Sequence, residues 1–170
     1  MKNIILIGFM GSGKSTVAKR LAEEFSLPLV EMDLRIEEKA EMSIPDIFSK
    51  FGEEKFRELE SLVLLESLEN RGVIATGGGV LTKKENQEML SNESYVFYLK
   101  GTLETLLRNI KNDPINIRPL ANKKDETALE VLLKSRLEAY EDVADVIISI
   151  DNYSVEEIVS FIKAEIKEMN

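Results

Sequence analysis

The chain has no cysteine and no histidine in 170 residues. Without cysteine it can form neither a disulfide nor a thiolate metal site, and a reducing cytoplasm suits it. Without histidine a histidine triad is excluded, and general acid–base work falls to Asp, Glu, Lys, Tyr or water. No stretch approaches the roughly 18 apolar residues that a membrane span requires. Positive charge is also in deficit. The formal net charge is -9, which argues against nucleic acid as the main partner, since no excess of side chains is left to neutralise phosphates. An acidic chain that binds an anion has to gather its few cations at one place.

What is present begins at the first apolar run. Asn3-Ile4-Ile5-Leu6-Ile7 leads into Gly8-Phe9-Met10-Gly11-Ser12-Gly13-Lys14-Ser15, a match to G-x-x-x-x-G-K-[ST] between a β-branched strand and a helical pattern over Thr16 to Phe25. Glycines there let the backbone turn with φ > 0, so that successive N–H groups and the helix N-terminus converge on an anion. The stretch Gly11, Ser12, Gly13, Lys14, Ser15 and Thr16 is therefore a nucleotide phosphate site. Lys14 can reach the β- and γ-phosphates, and the Ser15 hydroxyl suits Mg²⁺. Lys2 and the run after it imitate the start of a secretory signal, but the run ends in Gly-Ser-Gly-Lys with no small-residue cleavage site. A cytoplasmic protein is expected.

A chain of this length is expected to form one domain, residues 1–170, with room for a central sheet. A second strand is read over 29–32, ending in Asp33, which puts Glu31 and Asp33 at a strand's carboxyl end, where α/β folds hold ligands. Helical patterns follow over 34–40, after Ser43 as N-cap, and from Glu53 beyond the Gly52 break. In the last of these Arg57 and Glu60 share a face, as an exposed i, i+3 ion pair of small value would. Val73 to Thr76 reads as a strand and runs into Gly77-Gly78-Gly79, where backbone can approach a ligand closely. Thr82 and Glu85 read as a capping box for a helix over 83–90, and strand 95–99 precedes helix 103–110.

The polar segment 111–124, with Arg118-Pro119 at its centre, reads as a lid that would bring Arg118 to the transferring phosphoryl group and exclude water. Asn122-Lys123-Lys124-Asp125 imitates a guanine-reading N-K-x-D, but it does not follow an apolar strand and the chain has no D-x-x-G. It is assigned to the lid and to Asp125 as N-cap of a helix over 126–143. That helix carries Arg136 and Tyr140 one turn apart. Strand 146–150 and a last helix over 155–169, capped by Ser154 with Glu157, complete a three-layer α/β/α sandwich on a five-stranded parallel sheet.

With these residues assembled, the chain resembles the shikimate kinase family over nearly its whole length. The resemblance rests on Asp33 with Ile36-Glu37, Ser43-Ile44, Asp46-Ile47-Phe48, Phe56-Arg57 with Glu60, Gly77-Gly78-Gly79, Arg118-Pro119-Leu120, and Arg136 with Tyr140. It implies a P-loop kinase fold of the nucleoside monophosphate kinase type, with substrate-binding helices at about 34–60. It also implies ATP-dependent phosphorylation of the 3-hydroxyl of shikimate, with Mg²⁺; a monomer is expected. Arg57 and Arg136 would hold the substrate carboxylate, Asp33 would contact the ring hydroxyls, and Gly78 and Gly79 would offer backbone amides. Glu60 would orient Arg57, Lys14 and Arg118 would neutralise the transferring phosphoryl, and Arg108 would lie against adenine. The family usually has Asp where this chain has Glu31, whose role toward Mg²⁺ would run through water.

Overall fold

The computed structural model describes residues 2–93, 95–113 and 123–170. Its centre is β1, Ile4–Ile7, whose four side chains are completely buried. A run apolar at every position, with no polar alternation, belongs to a parallel strand covered on both faces. Beside it lie β3, Val73–Ala75, and β4, Val96–Lys100, with β2, Leu29–Glu31, and β5, Val146–Ser149, at the edges. The order is β2-β3-β1-β4-β5 and every pairing is parallel. Helix α1, Lys14–Phe25, packs on β1, β2 and β3 and beside α7, Val155–Met169. Helix α6, Lys123–Val143, packs against β4 and touches α4, Lys84–Ser91, and α5, Leu103–Lys111. The chain is thus an α/β protein with a five-stranded parallel sheet flanked by helices, as its alternating pattern requires.

The topology fixes where a ligand can sit. The connection from β1 leads past β3 to the edge strand β2, and the one from β3 leads past β1 to β4. Loops leaving these neighbours diverge, which opens a crevice above their carboxyl ends. The glycine loop leaves β1 there, and Gly77-Gly78-Gly79 leaves β3.

Several local expectations are corrected. The second strand ends at Glu31, and Met32 and Asp33 open helix α2, Met32–Ala40. The apolar pattern of strand 29–32 continues into Met32 because that side chain also enters the core, fully buried, but from a helix. Asp33 then stands in a first helical turn, where the dipole favours a carboxylate. The Thr82–Glu85 box does not form. Thr82 donates its N–H to the Gly79 carbonyl at 3.0 Å and closes a 3-10 turn over Val80–Thr82, so α4 starts one residue later behind Lys83, with no side-chain cap. Asp125 is not an N-cap either, because α6 begins at Lys123 and Asp125 lies inside its first turn.

Tyr95 stands outside β4 with φ 69. Helices α2 and α3, Ile44–Leu68, pack together, and α3 bends at Gly52, whose φ of 81 and ψ of 172 only glycine adopts readily. Ser43 caps α3 through Asp46 N–H, and the Ser154–Glu157 capping box of α7 is present on both sides.

Candidate active site

The glycine loop owes its path to two kinds of constraint. Gly11 and Gly13 have φ of 81 and 87, and among the described residues nothing lies within 4 Å of a Cβ added at Gly13, so the backbone conformation is what favours glycine there. At Gly11 space is also short, since a Cβ would meet the Leu106 carbonyl oxygen at 2.7 Å. Gly13 ends the loop as N-cap of α1, which places Lys14, Ser15 and Thr16 in the first helical turn. The Lys14 ammonium donates to the carbonyls of Gly8 at 2.6 Å and Phe9 at 3.1 Å, inside the arc of the loop. Ser12 is buried and its N–H bonds Phe9 O at 3.2 Å. From α5, the Asn109 side chain donates to the Gly11 carbonyl at 2.8 Å. This tether was missed by sequence reasoning, because a lone Asn on an exposed helix face carries no signal. Arg108, its neighbour, is exposed on α5 and reaches Thr105 Oγ1 at 3.4 Å. Together with Glu104, Leu107, Lys111 and Asn112 it lines a shallow depression.

The second half of the site gathers around the three glycines. Arg57 donates through Nη1 to Glu60 Oε1 at 2.9 Å and to the Gly79 carbonyl at 3.1 Å, and through Nη2 to the exposed Glu53 at 3.4 Å. Its guanidinium also lies 5.1 Å from the centre of the Phe56 ring. The Arg57 side chain is 12% exposed and that of Glu60 1%, so the pair expected as a solvated ion pair is instead an interior one. Burial pushes the Glu60 carboxyl above its ordinary value; Arg57 opposes the shift, Asp33 adds to it, and Arg136 lowers it in turn. A Cβ on Gly77 would meet Asp33 Oδ1 and Glu60 Oε2, each at 3.0 Å, so the glycine sits between two carboxylates.

Gly78 joins the two halves. A Cβ there would stand 3.5 Å from Arg136 Nη1 and 3.5 Å from the Met10 backbone nitrogen of the glycine loop. The Arg136 guanidinium lies 5.7 Å from the centre of the Phe9 ring, also in that loop. Asp33, Arg57, Glu60, Gly78, Gly79 and Arg136 therefore meet within one cluster beside the phosphate loop. Glu31, half-buried, stands at the end of β2 as N-cap of α2, in register with Ala75. Arg108 lies apart on the α5 side of the loop. Arg118 falls outside the described residues, as does most of the segment read as a lid. Among the described residues no helix is long and apolar enough to cross a membrane.

A lysine-bearing glycine turn between strand and helix on a parallel sheet, with guanidinium groups from α3 and α6 beside the glycines that leave the next strand, is the build of a P-loop kinase for small molecules. The comparisons narrow the class. A family model described as shikimate kinase matches residues 10–167. A shikimate kinase of Enterococcus faecalis is 41% identical over 168 residues, covering 99% of this chain and 100% of the relative. A shikimate kinase from Acinetobacter baumannii, solved in complex with shikimate, superposes with a TM-score of 0.91 at 34% identity, over 100% of this chain and 95% of that one. A gluconokinase from Sinorhizobium meliloti, at TM-score 0.65 and 19% identity over 99% of this chain and 93% of its own, shares the fold alone. The chain belongs to the shikimate kinase family.

Proposed function

We infer that the protein transfers the γ-phosphoryl group of ATP to the 3-hydroxyl of shikimate, giving shikimate 3-phosphate and ADP, in aromatic amino-acid biosynthesis. The observation that carries this reading is the position of Gly78 between the Arg136 guanidinium and the Met10 amide of the phosphate loop. A small acid gripped by Arg136 and Arg57 would have its alcohol within reach of a terminal phosphate lying on that loop. Arg57 supports the reading further, because its Nε–H is buried and has no acceptor among the described residues. A carboxylate is the partner that a guanidinium edge binds in bidentate fashion.

In this reading Asp33 contacts the ring hydroxyls and assists the attacking one, Gly78 and Gly79 offer amides, and Glu60 holds Arg57. Lys14 and Arg118 neutralise charge on the moving phosphoryl group. Gly11 to Thr16 cradle the phosphates, and Arg108 lies against the adenine. Such a site works by positioning and electrostatics, since phosphoryl transfer demands little covalent chemistry of the protein. The donor set fits Mg²⁺. Among the described residues no group of three or more acidic side chains gathers to cage a cation, and Mg²⁺ keeps its waters and binds through one protein oxygen and nucleotide phosphates. Ser15 would supply that oxygen and Glu31 would hold a coordinated water; the bound ion would offset phosphate charge. We read the protein as a cytoplasmic, single-domain monomer.

Titration calorimetry of shikimate, with and without nucleotide, followed by ADP release across a panel that includes gluconate and nucleoside monophosphates, tests the assignment. Shikimate alone should support turnover. Equal or faster turnover of another acceptor would overturn it.

A further inference from the structure

Tyr140 belongs to no step described above, yet it is a completely enclosed polar side chain beside the three glycines. It is fully buried on α6, one turn beyond Arg136, and its ring stacks on Tyr98 of β4 with centroids 4.9 Å apart and planes at 27°. Its hydroxyl donates to the Gly78 carbonyl. Burial raises the phenol well above its ordinary value, with Arg136 pulling the other way, so the group is a neutral donor throughout the physiological range.

The consequence follows from peptide geometry. Each peptide unit is planar and, among the described residues, trans, so a carbonyl fixed on one side fixes the next residue's N–H on the other. Val80 N–H holds the Gly77 carbonyl at 3.1 Å and thereby sets the Gly78 N–H. Tyr140 holds the Gly78 carbonyl and thereby sets the Gly79 N–H. The Gly79 carbonyl is itself held by Arg57 Nη1 at 3.1 Å and by Thr82 N–H at 3.0 Å. Among the described residues neither the Gly78 nor the Gly79 N–H has an acceptor. A peptide flanked by two glycines turns over readily unless something holds it. Among the described residues no other hydrogen bond reaches the Gly78 carbonyl.

We propose that Tyr140 is a positioning residue for the substrate acid: its hydroxyl locks the Gly78–Gly79 peptide plane with the Gly79 N–H facing the substrate. The inference rests on the reading of Gly79 and Arg136 as substrate contacts.

Tyr140→Phe removes one oxygen and keeps the stacked ring. With shikimate varied at saturating ATP, its KM should rise about tenfold, near the upper end of what one intramolecular hydrogen bond supplies, while kcat and the KM for ATP stay within about a factor of two. Tyr98→Phe is the control: its ring touches Tyr140, among the described residues no hydrogen bond joins its hydroxyl to the glycines, and its shikimate KM should match the wild type. Thermal melting of both variants shows that each is folded. An unchanged shikimate KM in Tyr140→Phe overturns the proposal, and so does an equal rise for both substrates or for both variants. Absence of shikimate-dependent ADP release from the wild type would instead sink the underlying assignment and this inference with it.

Discussion

Replacing Gly79 with alanine separates backbone effects from side-chain effects unusually well. Gly79 has φ -101 and ψ 16, a conformation open to alanine, so the change costs little in backbone strain. The new Cβ, however, would lie 2.5 Å from Arg57 Nη1, 2.7 Å from Nη2 and 2.9 Å from Cζ. Carbon requires about 3.5 Å from such atoms, so the guanidinium has to withdraw by about 1 Å. The arginine stem can flex, and the movement alone is cheap. What it breaks is not: Nη1 holds Glu60 at 2.9 Å and the Gly79 carbonyl at 3.1 Å, and a 1 Å retreat takes both beyond hydrogen-bond range. Glu60 is too enclosed for water to replace the lost donor, so stability should fall by about 2–3 kcal/mol. A misplacement of this size in a substrate-holding group should lower kcat/KM for shikimate by about 10²-fold, with the KM for ATP unmoved.

Gly78→Ala is the companion. Its Cβ would find ordinary contacts at 3.5 Å, so it should melt like the wild type. The methyl group would nevertheless enter the space between Arg136 and the phosphate loop and raise the shikimate KM. Steady-state kinetics and chemical denaturation of both variants decide the matter. A Gly79→Ala protein with wild-type stability and a shikimate KM within about twofold would refute the idea that this glycine exists to seat Arg57.

Three further outcomes are expected. Gly52→Ala places a side chain at φ 81, ψ 172, where no steric neighbour lies within 4 Å among the described residues; the loss of about 1–3 kcal/mol in denaturant unfolding is then backbone strain, and an unmoved midpoint would refute it. Lys14→Ala should lower kcat by on the order of 10²–10³-fold, and near-normal turnover would remove Lys14 from the phosphate site. Glu60→Gln tests the buried carboxyl. Because burial raises its folded-state value above 4.5, the stability it contributes is complete below that pH and is lost as pH rises through the folded value. Calorimetry should therefore show the melting temperature of the wild type, relative to the glutamine variant, declining from about pH 4 toward neutrality, and a relative gain would contradict the direction of the shift.

The parts of the molecule legible in the sequence are those decided by near neighbours. The strand, glycine turn and helix around Lys14 follow from composition and spacing alone, and so do the caps at Ser43 and Ser154, whose partners lie three residues away. Thr82 has the same local signature, yet its N–H is taken by Gly79 as the chain turns off β3, and the box is lost to that turn. Spacing shows that Arg57 and Glu60 share a helix face but not whether the face is wet. Burial is settled by Gly79, 22 residues further on, and by Asp33 from another helix. The Tyr140 bond to Gly78 spans 62 residues, and no helical periodicity foretells it.

The chain's deficit of positive charge sharpens the question of how it could hold an acid. Exposed Asp33 and buried Glu60 set two negative charges against Arg57 and Arg136, so these four side chains cancel formally and attract no anion by net charge. Attraction has to come from donor geometry. Arg57 spends Nη1 on Glu60 and Gly79 and Nη2 on Glu53, which fixes the plane of its guanidinium and, among the described residues, leaves Nε buried without an acceptor. An ammonium in that position could hold Glu60 but would present no second, directed edge. An unpaired buried donor costs about 1–3 kcal/mol, more where the group is charged. A carboxylate reaching that edge removes the cost when it binds, so the fold itself stores part of the affinity. A neutral alcohol could accept one hydrogen bond there but could not offer the charged, two-oxygen fork of a carboxylate, and on this reasoning the site favours acids even though its charges cancel.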